Sequence, residues 1–355
     1  MGHPGPLRRA ASQGPADRHL LAGRPCRHRP AVPAHRPRPP GAHPRGRGGG
    51  GVSASANGRP EVTVGLCQWL ASPGRPEVNL AAAAELVAAA AGRGAEVVVL
   101  PELWASGYDA GTLAADAARA AEPLGGPRTQ ILGELARQHH VHLFAGTVPE
   151  AADRALYNTA LLFDPQGELI AAHRKAHLYP FTGEDAIFGA GDRLTVVDTD
   201  VLGRVGLTVC FDGDFPEVPV ALNRRGAGTV VQPCAYEAEA SDWWDRLYPA
   251  AAVANGQWWI LANQCGTTAT GTLLGASRVI DPAGRVVAEA RRVGPGGQAD
   301  PEVLLASVDT RPRPKGETAG VAALRRCRRP ELYAEEAVAD RQGEPATVSA
   351  GGAAR

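Results

Sequence analysis

Long apolar runs are missing from this 355-residue chain. No stretch of 18 or more hydrophobic residues occurs, which argues against a membrane span. The first residues also lack the uninterrupted apolar core of a secretory signal, because Arg8, Arg9, Asp17 and Arg18 break up every candidate. A cytoplasmic protein is expected. Cysteine is sparse, with six residues in no CxxC pair and no regular spacing, so neither a disulfide framework nor a zinc ribbon is suggested. Lysine is scarcer still, since 35 of the 37 basic residues are Arg and only Lys175 and Lys315 are Lys. Where chemistry needs a compact, deprotonatable ammonium, Arg cannot substitute.

Net charge is zero, but its halves are unequal. Residues 1–60 hold eleven Arg against one Asp, so the remainder is acidic by the same margin. Nucleic-acid binding by the folded part is therefore not expected. Residues 1–58, rich in Arg, Pro, Gly and His, cannot bury enough apolar surface to offset the entropy of ordering. They are expected to form a disordered extension without a role, with a nucleic-acid tether or an organelle-targeting segment as the functional alternative. Residues 336–355 are expected to be a flexible tail, leaving a domain over 59–335.

From Pro60 onward the pattern becomes regular. Glu61–Gln68 alternates like a strand, Glu77–Ala91 is an Ala-rich helix stopped by Gly92 and Gly94, and Glu96–Leu100 is a buried strand. A helix over Thr129–Gln138 leads into a strand over Val141–Thr147. Ala160–Phe163 and Leu169–Ala172 then flank the turn Asp164-Pro165-Gln166-Gly167. The second half repeats the scheme: a strand over Arg204–Cys210, a helix over Val218–Arg225, a strand over Gly228–Gln232, and a helix capped by Ser241 and running to about Ala254. Trp258–Asn263 is another buried strand. Gly275–Ile280 and Arg285–Ala290 flank the turn Asp281-Pro282-Ala283-Gly284, and Val303–Asp309 ends the series. Strands alternating with helices, plus edge hairpins, indicate an α/β layered fold.

Three polar residues stand at or just beyond strand ends, where such folds build their sites. Glu102 follows an apolar run, so partial desolvation is expected to raise its pKa toward that of a general base. Lys175 follows the first hairpin; its ammonium is suited to hold a developing oxyanion and to lower the pKa of a nearby thiol. Cys210 lies where a strand turns toward a helix, which sets its sulfur near backbone N–H groups that favour thiolate. Cys67, Cys234 and Cys265 read as buried inert thiols. His139, His140 and His142 lack an acidic or cysteine partner and point to different faces, so no metal site is expected.

Each signal alone is ordinary, but their order and contexts resemble the nitrilase superfamily of carbon–nitrogen hydrolases over about residues 60–335. Pro101-Glu102-Leu103-Trp104 with Gly107-Tyr108 looks like its glutamate motif, Arg174-Lys175-Ala176-His177-Leu178 its lysine motif, and Cys210-Phe211-Asp212 with Phe215-Pro216-Glu217 its nucleophile motif. Glu184, followed by Phe188 and Gly191, has the spacing of a second active-site glutamate. The resemblance implies a four-layer α–β–β–α sandwich that assembles into homodimers or larger oligomers. It implies that Cys210 attacks a carbonyl carbon, that Glu102 takes its proton, and that Lys175 and the Phe211 backbone N–H hold the oxyanion. A thioester at Cys210 is then hydrolysed, with Glu184 balancing charge and Tyr108 and Phe211 contacting substrate. No metal or organic cofactor is implied.

The family pattern Arg-Ala-x-Glu-Asn reads Ala251-Ala252-Val253-Ala254-Asn255 here, so an ion pair before the Trp258 strand is missing. Phe211-Asp212 after the cysteine, instead of Trp-Glu, favours a small-molecule amide over a nitrile, with N-carbamoyl compounds as the neighbouring alternative. Trp243 and Trp244 are candidates to line an acyl pocket, although core or interface is the commoner fate of such residues. From other classes, an acyltransferase using the same thioester or a non-catalytic binding protein on the same fold stays open.

Overall fold

Period-two burial sorts the strand side chains between two faces, and that sorting builds the layers. The computed structural model describes residues 61–310 and 327–333; the expected extension over 1–58 and the tail over 336–355 lie outside the described residues. The first sheet holds the parallel strands β1 (Glu61–Gln68), β2 (Val97–Val99) and β3 (His142–Ala152). The antiparallel β4 (Ala155–Phe163) and β5 (Leu169–Arg174) continue it, and the short helix α4 (Glu184–Ile187) follows. On its far edge β14 (Glu302–Asp309) returns to pair antiparallel with β1.

The second sheet repeats this plan. Its strands β7 (Gly203–Leu207), β8 (Thr229–Cys234) and β9 (Trp258–Asn263) are parallel. Antiparallel β6 (Thr195–Thr199) lies on one side, with β12 (Arg278–Ile280) and β13 (Val286–Glu289) on the other. A short ribbon of β10 (Cys265–Thr267) and β11 (Thr272–Leu274) stands apart from both.

Val64, Leu66, Val97, Val99 and Phe144 of the first sheet share one buried cluster with Val205, Leu207, Val231, Ile260 and Val279 of the second, so the sheets pack face to face. The alternate residues Val98 and Leu143 pack outward against α1 (Pro76–Gly92) and α3 (Pro127–His139). On the other side Val230, Trp259 and Leu261 meet Leu222 of α5 (Glu217–Arg224) and Trp244, Tyr248 and Ala252 of α6 (Ser241–Asn255). The layers are therefore helix, sheet, sheet, helix, as the resemblance implies. Each fully buried Val or Leu in these clusters stabilises the fold by about 1.5–3 kcal/mol.

Close approach of helix to strand uses one glycine in each half. A Cβ on Gly65 would lie 3.0 Å from the Ala90 Cβ of α1, and one on Gly206 would lie 2.8 Å from Leu222 Cδ1 of α5. Both edge turns are built alike. Asp164 Oδ1 accepts from the Gln166 and Glu168 amides, and Asp281 Oδ1 from those of Ala283 and Arg285, each turn closing on a glycine with positive φ.

Three features depart from the sequence reading. Ser241 is the first helical residue, not the cap: the 3-10 turn Ala238–Ala240 runs straight into α6, so Ala240 takes the cap position without a side-chain bond. The strand expected to reach Cys210 stops at Leu207. A helix α2 (Leu113–Ala120) and the edge strand β6 were not anticipated; the buried face of α2 has one large apolar side chain, Leu113, beside Asp116, Ala117 and Ala120. Where the family's Arg and Glu are replaced in α6, Ala251 packs partly buried against the core and Ala254 is exposed.

Candidate active site

Glu102, Lys175 and Cys210 come together just past the ends of β2, β5 and β7. Lys175 follows β5 directly and its backbone is clamped on both sides. Its N–H donates to Asn158 O and its carbonyl accepts from Gly191 N, both at 2.8 Å. Just before it, Arg174 grips Glu150 with two hydrogen bonds of 3.0 and 2.6 Å and lies over the Tyr157 ring.

The Lys175 ammonium has no solvent exposure and sits between two carboxylates that have none either. Nζ donates to Glu102 Oε1 at 2.8 Å and lies 2.9 and 2.7 Å from the two oxygens of Glu184. Glu102 Oε1 also accepts from Asn158 Nδ2 at 2.8 Å, and its Oε2 from the Ala235 N–H at 2.9 Å. Glu184 accepts from Tyr108 Oη at 2.8 Å and from the Tyr179 N–H at 3.1 Å. Burial raises the Glu102 pKa even against the Lys175 charge, which suits a general base. For Lys175, burial pushes the ammonium down, but the charges of Glu102 and Glu184 outweigh it and leave the pKa well above the ordinary lysine value. The group stays charged.

Cys210 opens a 3-10 turn, Cys210–Asp214, with φ +44°, a left-handed conformation unusual for a residue with a side chain. The turn closes on Gly213, where a Cβ would fall 2.2 Å from Gln232 Oε1. Asp212 holds this turn to the lysine loop. Its Oδ1 accepts from the backbone N–H of Ala176 and of His177, at 3.1 and 2.8 Å, and Oδ2 from the N–H of Val209 at 3.0 Å. His173 Nε2 and His177 Nδ1 add bonds of 3.2 and 2.8 Å. Burial pushes Asp212 up, but the bonds from His173 and His177 overcome it and keep the carboxyl ionised well below the usual range.

The expected thiolate is not what the surroundings favour. A hydrogen-bonding contact with the Cys234 thiol, then burial, then the Glu102 charge push the Cys210 pKa well up, and Lys175 only partly offsets them. At rest these surroundings favour the neutral thiol, so a reaction at this sulfur would need a base to take its proton. Cys234, read as inert, is buried but lies against Cys210. Cys67 and Cys265 are buried and raised by burial, as inert thiols would be.

A cavity of about 480 Å³ opens over Cys210, largely apolar, with Tyr108, Phe211, Phe215, Tyr236 and Trp243 among its walls. Tyr108 and Phe211, the expected substrate contacts, both line it, although the Tyr108 hydroxyl is engaged with Glu184. The two tryptophans part company: Trp243 lines the cavity, while Trp244 is fully buried in the core. His142, one of the three clustered histidines, pairs with Asp200 at 2.9 Å. Sequence reasoning did not single out Asn158, Asp212 or Asp214; Asp212 was legible only as a letter in a motif, because its role depends on three backbone amides in two separate loops.

A model of the carbon–nitrogen hydrolase family matches residues 63–311. A Schizosaccharomyces pombe hydrolase is 34% identical over 69% of this chain and 76% of its own length. The 2-oxoglutaramate amidase of Bacillus subtilis is 32% identical over 65% of this chain and 86% of its own. Among solved structures, an amidase from Nesterenkonia sp. superposes with a TM-score of 0.66 at 28% identity, covering 78% of this chain and 97% of that one. One form of it was solved with butyramide, and another carries the acetamide moiety of fluoroacetamide covalently on its active-site cysteine. The chain belongs to the carbon–nitrogen hydrolase family of the nitrilase superfamily.

Proposed function

We propose that this chain is an amidase that releases ammonia from small linear amides through a thioester on Cys210. The observation that carries the reading is the buried ammonium of Lys175 locked between Glu102 and Glu184, beside a neutral thiol at the floor of an apolar cavity. Glu102 accepts the thiol proton as the Cys210 sulfur bonds to the amide carbon. The carbonyl oxygen becomes an oxyanion, which Lys175 Nζ and the Phe211 N–H stabilise. As the tetrahedral centre collapses, the C–N bond breaks and the nitrogen takes the proton from Glu102, leaving as ammonia. Water then attacks the thioester, giving one proton to Glu102, which returns it to the sulfur as the acid departs. Glu184 keeps Lys175 aimed and charged throughout, and Tyr108 braces Glu184. The amidase relatives support amide over nitrile as the substrate class.

A cytoplasmic location and assembly as a homodimer or larger homo-oligomer go with this reading. The exposed Val253 and Trp243 of α6 offer apolar area for such a contact. The test of the activity is ammonia release from matched short amides, N-carbamoyl compounds and nitriles, each run beside Cys210→Ala. Release from amides that vanishes in the variant is expected. Release that persists in a folded Cys210→Ala protein removes the cysteine from the chemistry.

A further inference from the structure

The cavity over Cys210 has a charge pattern that the amidase reading leaves unused. Seven aromatic rings line it, Tyr179, Phe181 and Tyr236 among them, together with the carboxylates of Asp214 and Glu237; among the described residues no Arg, Lys or His does. Asp214 accepts from Tyr248 Oη at 2.7 Å and Tyr236 Oη at 3.2 Å, which orient it without neutralising it. Burial pushes its pKa up to about 6 in spite of those bonds. Glu237, half-buried, shares a hydrogen bond with the Tyr179 side chain, and burial raises it as well. Lys175 also acts on Asp214, but it is already held between Glu102 and Glu184. The pocket therefore holds two carboxylates without a counter-charge of their own, ringed by aromatic faces.

We infer that the acyl chain this cavity accepts ends in a cation, an ammonium or guanidinium seated between Glu237, Asp214 and the aromatic rings. Aromatic faces attract cations through their quadrupole, and a partly desolvated carboxylate gains from an opposite charge. A chain ending in a carboxylate, as 2-oxoglutaramate does, would bring a third negative charge into a cavity lined by none of the opposite sign. The inference rests on the amidase reading and narrows its substrate class.

The test measures kcat/KM for ammonia release from three chains of matched length, 4-aminobutanamide, pentanamide and succinamate, and from their one-carbon-longer homologues, with butyramide as reference. The ammonium amides are expected to exceed the neutral ones by about tenfold or more and the carboxylate ones by more again, the scale of a close charge pair. In Glu237→Gln, which can keep the bond to Tyr179, the ammonium-to-neutral ratio is expected to fall by about tenfold. A wild-type preference for the neutral or carboxylate chains overturns the inference and leaves the amidase reading standing. No turnover of any compound by folded protein, butyramide included, overturns that reading and the inference with it. The wild-type panel decides the preference without relying on the folding of any variant.

Discussion

Replacing Lys175 with arginine keeps the positive charge and changes everything else about the group. The lysine side chain has no exposure, and its Nζ lies within 2.9 Å of both Glu102 and Glu184, so a planar guanidinium has nowhere to go without displacing one of them. Overpacking of this kind costs about 1–3 kcal/mol. At roughly 2–4 °C of Tm per kcal/mol for a domain of 150–250 residues, the variant is expected to melt some degrees lower yet stay folded. Its turnover is expected to fall by about 10²–10³, or about 2.7–4 kcal/mol, because the donor no longer points at the oxyanion. The methionine variant separates the two effects. It leaves two buried carboxylates with no cation between them, and breaking a buried pair costs about 3–5 kcal/mol in stability. The assay is kcat for ammonia release beside a thermal melt of each variant. Lys175→Arg turnover within about threefold of wild type would refute the assigned role, since charge alone would then suffice.

Asp212→Asn is expected to lower kcat by about 10–100-fold with KM little changed, because Asp212 ties the lysine loop to the nucleophile turn and small misplacements of reacting groups are expensive. A lower Tm with normal kcat would make Asp212 merely structural. Asp214, raised to about 6 from 3.8, holds a proton in the fold that the unfolded chain has lost, so its contribution to stability declines as pH rises from about 4 to 6. Denaturant midpoints at pH 4.5 and 6.5 are expected to show a shallower decline in Asp214→Asn, and an equal decline in both proteins would refute the assignment. Asp212, depressed below its ordinary value, acts in the opposite sense: its contribution is present above about pH 4 and is lost as pH falls toward its folded pKa. Deleting residues 1–58 is expected to leave turnover unchanged, as checked by ammonia release from the shortened chain, and lost activity would give the extension a role.

The strands were legible where burial is dictated by one rule. β1 and β9 run over the residues their apolar patterns mark, because their buried apolar positions sort between two packed faces. Glu102 and Cys210 were legible for a related reason, since each stands just past a buried run, and Lys175 because it is one of only two lysines. What could not be read was the state of the nucleophile. The sequence suggests a cation near a thiol, whereas the fold also brings Cys234 and the Glu102 charge to the same sulfur and buries all of them. Balance among opposed electrostatic effects depends on three-dimensional distance, which the order of residues does not carry. The carboxylates of the cavity were hidden likewise, since Asp214 and Glu237 lie 23 residues apart on different elements and meet only around an empty volume.

If bond cleavage passes through an acyl group on Cys210, that acyl group must partition between water and added hydroxylamine. Butyramide would be turned over by the wild-type protein with hydroxylamine added, while ammonia, butyric acid and the hydroxamate are measured together. A shared thioester predicts that hydroxamate grows at the expense of butyric acid while ammonia release does not slow, and that all three products vanish in Cys210→Ala. Ammonia and acid formed with no hydroxamate at any hydroxylamine concentration would contradict it, because water would then be attacking the amide itself.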